Sequence, residues 1–466
     1  MNDQEIFNLS DAIWGYAETG FTEVKSAKAL EDVMRNNDFT VTVGIADMPT
    51  AFVAEYGSGR PVISFLAEYD ALFGMNQTAD CTEFHPITTA EDTGHGCGHE
   101  LLGAGAAAAA ILYKEYLQKT GRSGTVRLYG CPAEESGSGK VYLARGGYFA
   151  DTDAALTWHP GLFNQVCTAS SQSCISMFFK FHGVSSHAAG APHLGRSALD
   201  GCELMNVGVN YLREHMEDSD RVHYAYTNAG GKAPNVVQSE ATLKYFIRSK
   251  DNPTCLKLMD RVINCAKGAA LMTGTTVDVL FDEGLSNTVN NFTLEKLFRD
   301  VFLSQPKPEF TQGELAYAQS FKDTYGVDAM IHDLDPLIQN KDEVIENIRK
   351  SPLCTIFVDK TCSDQVRMGS TDVGDVSWVV PTATINTACF AYGAGGHSWQ
   401  WVAQGKSSIA HKAELYAAEI LCEAAVRLNE HPEILQAARA EFDKRMDGQK
   451  YECLIPDDVK PHVSDL

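Results

Sequence analysis

Apolar residues recur at helical spacing through residues 6–36, at Leu9, Ile13 and Ala17 and then at Ala27, Leu30 and Val33. Short apolar runs follow at 52–56 and 62–66, and the second is nearly continuous, as in a strand buried on both faces. An Ala-rich segment at 101–117 predicts a helix. Strands are predicted at 125–130 and 154–158, with a helix start at 137–145 between them. Alternation of strands and helices predicts an α/β fold, a mostly parallel mixed sheet flanked by helices.

The pattern changes near Ser171. Residues 175–181 read as a strand, 194–216 as a helix, 222–227 and 241–248 as strands, 253–272 as a helix and 276–281 as a strand. The order β-α-β-β-α-β is that of a ferredoxin-like unit. It predicts a small α+β lid or dimerisation domain at 172–284, inserted into a discontinuous catalytic domain at 1–171 and 285–466. Residues 306–343 are polar and mixed and give no firm element, and the 305–365 segment has no assigned role. A strand at 384–392 and a helix at 409–428 return to order. The charged tail from His431 is expected to lie peripheral to the fold.

The 466 residues are 44% hydrophobic and 21% charged, ordinary for a globular chain. A net charge of −23 argues against nucleic acid and anionic membranes as partners. The longest apolar run, 103–112, is too short to span a bilayer. The 13 cysteines follow no disulfide framework, and the first residues lack a basic region followed by an apolar run. A cytoplasmic protein with free thiols is expected.

The chemistry is concentrated at predicted strand ends. Gly94-His95-Gly96-Cys97-Gly98-His99 sets a thiol and imidazoles among glycines, just before the Ala-rich helix. Cys and His are strong ligands for borderline metals such as zinc. Pro132-Ala133-Glu134-Glu135 and Thr157-Trp158-His159-Pro160 end two further strands, and Gly395-Gly396-His397 follows a fourth. Alone, a Glu pair is usually a solvated surface feature and a His before Pro a loop residue; repeated in one structural context, they form a ligand series. Cys97, His99, Glu135, His159 and His397 are enough ligands for two metals a few ångströms apart, with a sulfur able to bridge. Glu134 is then placed to move the proton of an attacking water. Adjacent strand residues point to opposite faces, so both Glu serve one site only if the backbone turns there. A Cys97-nucleophile hydrolase has no supporting Asn or Asp spacing. His95 and His411 are read as structural.

These motifs resemble the amidohydrolase branch of the dinuclear metallopeptidases and aminoacylases. The resemblance extends through Ala67-Glu68-Tyr69-Asp70, Ser186-His187-Ala188-Ala189 and Pro192-His193-Leu194-Gly195-Arg196. Within that branch the chain resembles the p-aminobenzoyl-glutamate hydrolase group, which also shares Tyr129-Gly130-Cys131-Pro132 and the run 370–378. The resemblance implies hydrolysis of an amide between an acyl or aroyl group and an amino acid with a free carboxylate. It implies two divalent ions, zinc or manganese, on Cys97, His99, Glu135, His159 and His397, holding a hydroxide. Glu134 would be the general base and Asp70 would orient a ligand imidazole. His187 would reach across a dimer to steady the oxyanion, and Asn235 and Arg248 would hold the substrate carboxylate. A homodimer is implied, or a heterodimer with a homologous subunit without which the chain is inactive. Glu100, Ser398-Trp399 and Asp372 depart from the usual motifs and leave the acyl group open.

Overall fold

In the computed structural model, residues 2–88, 90–393 and 395–462 are described; Ala394 of the glycine-rich loop lies outside them. The main sheet has eight strands. In spatial order they are Thr40–Val43, Phe52–Ser58, Gly124–Gly130, Val62–Ala67, Ala154–Gly161, Thr382–Ala388, Asn164–Cys167 and Phe357–Val358. The central four run parallel, with antiparallel pairings on both sides of them. All six residues of Val62–Ala67 are buried, which accounts for the unbroken apolar run. The expected α/β class is what the chain adopts.

The helix His99–Thr120 is apolar nearly all round and buried between the sheet and the helices Asp3–Tyr16 and Ser408–Glu430. Its small residues permit close approach. A Cβ on Gly105 would stand 2.7 Å from the Trp158 ring, and one on Gly103 would stand 2.5 Å from the Glu68 carbonyl oxygen. Trp158, itself buried, donates to the Leu102 carbonyl at 3.0 Å.

A second sheet carries Arg221–Asn228, Glu240–Ser249, Ser173–His182 and Thr276–Leu285 in that spatial order, all antiparallel. The helices Ala198–Leu212 and Asn252–Thr273 pack against each other and this sheet around Phe179, Phe181, Leu243 and Val262. The strand order is that of the ferredoxin-like unit expected from the sequence.

Two expectations need correction, and one stretch left without an element gains helices. The unassigned polar stretch holds helices at Gln312–Lys322, Asp328–His332 and Lys341–Lys350. The strand expected at 384–392 runs Thr382–Ala388 and stops short of Tyr392. The tail is not peripheral: Pro432–Met446 is a helix burying Ala438, Phe442 and Met446, and Leu454 and Ile455 beyond it are also buried. All 13 cysteines are free. Among the described residues, no helix is long and apolar enough to cross a membrane.

Candidate metal centre

Five chain segments converge at the C-terminal ends of the parallel strands, where α/β proteins place their chemistry. Val62–Ala67 delivers Glu68 and Asp70, and Gly124–Gly130 delivers Glu134 and Glu135. Ala154–Gly161 contains His159. Gly98, at φ 80°, caps the helix that begins with His99 and bends the backbone between Cys97 and His99. The His397 amide donates to the Gly96 carbonyl at 2.8 Å, which ties the His397 loop to the Cys97 loop.

The turn required for Glu134 and Glu135 to serve one site is present. Ala133 lies in the left-handed region at φ 57°. Its amide donates to Glu23 Oε1 at 2.8 Å, while the Gly137 and Ser138 amides return to its carbonyl. The Glu135 amide donates to Asp70 Oδ2 at 2.9 Å.

Ligand-type atoms face one another across this space. Cys97 Sγ lies 3.3 Å from His159 Nε2, and His397 Nε2 lies 3.1 Å from Glu135 Oε1. Cys97 with His99 and His159, and Cys97 with Glu135 and His397, each form a group whose ligand atoms lie within 4.8 Å of one another. Cys97 is common to both groups, as a bridging thiolate would be. His159 Nδ1 is 2.7 Å from the Pro160 carbonyl and His99 Nδ1 is 2.8 Å from Asp70 Oδ1. Each Nδ1 faces an acceptor away from the cluster, so Nε2 is the nitrogen that each ring turns toward it.

The donor set fits a divalent cation. Among the described residues, the buried His99 Nε2 and Glu68 Oε2 face each other, 3.2 Å apart, and the buried Glu135 Oε1 faces His397 Nε2, so ligand-type atoms meet ligand-type atoms here. Burial, then Glu68, Glu135 and Asp372, hold the Glu134 carboxyl well above the usual carboxylate range. Burial and Glu135 likewise push up the Cys97 thiol. Such crowding of acids is relieved by positive charge at the centre.

Sequence reasoning missed Glu68 and Lys140. Glu68 Oε2 lies 3.2 Å from His99 Nε2, and Glu68 forms a third ligand-type group with His99 and Glu134. Its Oε1 meets Lys140 Nζ at 2.7 Å, and Lys140 Nζ also meets Asp372 Oδ1 at 2.5 Å. The Lys140 side chain is fully buried, yet Asp372 and Glu68 outweigh burial and hold its ammonium charged. An acid placed directly after an all-buried strand was the available signal.

A cavity of about 430 Å³ opens beside the cluster, bordered there by Cys97, Glu134, Glu135, His159 and His397. Arg248 stands just behind its wall, donating to Ser370 Oγ at 2.8 Å. His187 and Asn235 are not among the cavity-lining residues. Both are exposed on adjoining loops of the small domain, where the Ala188 amide donates to the Asn235 carbonyl at 3.0 Å. His95 and His411 also stand apart from the ligand groups: His95 Nε2 lies 3.1 Å from the Ile13 carbonyl, and His411 stacks on Phe7.

With this geometry in place, the family follows from comparison. The profile of peptidase family M20/M25/M40 matches residues 65–456. The chain belongs to this family. It is a hydrolase acting on amide bonds. It is 42% identical over 462 residues to a subunit of the p-aminobenzoyl-glutamate hydrolase of Escherichia coli (strain K12), covering 98% of this chain and 96% of that protein. It is 26% identical to the Xaa-Arg dipeptidase of Homo sapiens over 95% of this chain and 90% of that one. A dinuclear metal-binding peptidase of the M20 family from Bacillus subtilis shares the fold, with a TM-score of 0.56 at 14% identity, over 92% of this chain and 98% of its own.

Proposed function

We propose that this family member hydrolyses the amide between an aroyl or acyl group and an amino acid with a free carboxylate, with p-aminobenzoyl-glutamate as the leading substrate. The observation that carries the reading is the convergence of Cys97, His99, Glu135, His159 and His397 around Cys97, beside a cavity that also admits Glu134. The relation to the Escherichia coli hydrolase supports the substrate class.

These five residues would hold two divalent cations, zinc or manganese, with Asp70 orienting His99. Two such cations supply Lewis acidity, acidifying water and polarising the scissile carbonyl. Glu134 takes a proton from the attacking water. Oxygen adds to the acyl carbon, the C–N bond breaks, and Glu134 returns the proton to the leaving nitrogen.

Residues 172–284 act as a lid that closes over substrate, bringing Asn235 and Arg248 to its carboxylate. The exposure of His187 supports a role delivered to a neighbouring subunit rather than to its own cavity. The protein is then a cytoplasmic homodimer. The Escherichia coli relative is named as one subunit of its hydrolase, which favours a second reading, a heterodimer with a homologous subunit. Purified chain alone, stripped of metal and resupplied with zinc or manganese, would be assayed on p-aminobenzoyl-glutamate, N-acyl amino acids and dipeptides. Metal-restored turnover supports the reading. Silence with metal bound overturns it for the lone chain, and recovery on adding a homologous subunit selects the heterodimer.

A further inference from the structure

The turn that carries Glu134 is held at both ends by a buried acid. Asp70 Oδ2 accepts the Glu135 amide on one side, and Glu23 Oε1 accepts the Ala133 amide at 2.8 Å on the other. Glu23 is 0% exposed, and its Oε2 accepts the Thr50 hydroxyl at 3.1 Å. The Tyr69 hydroxyl donates to the Thr50 carbonyl at 2.6 Å, which ties Glu23 to the segment between Glu68 and Asp70. Glu23 does not border the cavity, so it can reach the chemistry only through the turn.

Ala133 needs such a hold. At φ 57° its Cβ crowds the following carbonyl, and Ala has no polar side chain with which to offset that locally. A residue in such a conformation persists only where its surroundings over-determine it. Close packing adds to the hydrogen bond. A Cβ on Gly20 would stand 2.9 Å from Ala133 Cβ and 2.5 Å from Ser136 Oγ, and one on Gly137 would stand 2.3 Å from the Phe21 ring. Gly20, Phe21 and Glu23 all lie in the link between the helices Asp3–Tyr16 and Val24–Asn36. The same link is fastened beside Asp70, where the Ala71 amide donates to the Glu18 carbonyl at 2.8 Å.

We propose that Glu23 is a positioning residue for Glu134: by accepting the Ala133 amide it fixes the left-handed step that turns the Glu134 carboxyl into the cluster. The proposal rests on the reading above, in which Glu134 carries the proton. The two buried acids then divide the work. Asp70 sets the ligand Glu135, and Glu23 sets the proton carrier beside it. Loss of Glu23 misplaces Glu134 without removing a metal ligand, and a misplacement of about 1 Å costs about 100-fold in rate.

The test compares metal-loaded wild type, Glu23→Ala and Glu23→Gln by turnover of p-aminobenzoyl-glutamate, chelator competition and residue-resolved amide hydrogen exchange. In Glu23→Ala, kcat is expected to fall about 100-fold with KM and metal affinity kept. Exchange at the Ala133 amide should quicken about tenfold or more, while the Glu135 amide on Asp70 keeps its rate. Glu23→Gln still offers an oxygen to Ala133 and should recover most of kcat and of the protection. An unchanged kcat, a Glu23→Gln protein as slow as Glu23→Ala, or metal affinity lost in step with activity overturns the proposal and leaves the hydrolase reading intact. Equal quickening at both amides overturns it too. If wild type has no turnover, that reading falls for the lone chain, and exchange at Ala133 against Glu135 decides the positioning role alone. Should Glu23→Ala fail to fold, Glu23→Asp takes its place, because a carboxyl one methylene shorter reaches the Ala133 amide only if the turn moves. Wild-type kcat in Glu23→Asp overturns the proposal.

Discussion

Asp70 grips His99 from behind. Its Oδ1 stands 2.8 Å from His99 Nδ1, and its Oδ2 accepts the Glu135 amide at 2.9 Å. One buried carboxylate thus sets the tautomer of one candidate ligand and the backbone position of another. Asp70→Asn should weaken metal binding about 10- to 100-fold with the fold kept. Competition against a chelator, alongside circular dichroism, measures it. Unchanged affinity would remove Asp70 from the site.

Lys140 is the counter-ion of two buried acids. Removing it leaves the buried Glu68 and Asp372 carboxylates without their ammonium partner. Lys140→Met should lower unfolding free energy by about 3–5 kcal/mol, read from urea denaturation. A loss within experimental scatter would mean that the acids are neutral in the folded protein.

Much of this was legible beforehand, and for specific reasons. The loop carrying Cys97 and His99 declares itself because glycines, a thiol and imidazoles rarely share so short a run. The small domain was readable because its six elements are long and most of them carry a buried face. Glu68 and Lys140 were not, because a charged residue in sequence reads as surface until its partner is known. The helix Lys341–Lys350 buries only Val344 and Ile348, too narrow an apolar face to stand out. Phe357–Val358 is a two-residue strand, below the length at which alternation can be seen.

Glu414 offers a test by pH. It is fully buried, Ser10 reaches its Oε2 at 3.2 Å, and its Oε1 meets no hydrogen-bond partner among the described residues. Burial holds its carboxyl well above the ordinary value of 4.5, so the folded state keeps a proton that the unfolded state loses. The unfolded state then binds fewer protons, and stability falls as pH rises above 4.5. Glu414→Gln should match wild type near that pH and exceed it increasingly above, by up to about 1.4 kcal/mol per pH unit. Unfolding free energies across pH check this; parallel curves would contradict it.

His187 and Glu134 should complement one another across subunits. A protein with His187→Ala and one with Glu134→Ala are each expected to be nearly inactive. After mixing and subunit exchange, a mixed dimer carries one intact site. Partial recovery of activity is the expected result. No recovery, with exchange demonstrated, would confine His187 to its own chain.

The central claim is that Cys97, His99, Glu135, His159 and His397 hold two divalent cations on which amide hydrolysis depends. The most direct measurement titrates zinc or manganese into the stripped lone chain while hydrolysis of p-aminobenzoyl-glutamate is followed. Activity should rise from background to a plateau at about two ions per chain. Glu134→Gln should bind the same two ions without turnover. Full activity in the stripped protein, or two bound ions with no turnover in wild type, would contradict the account.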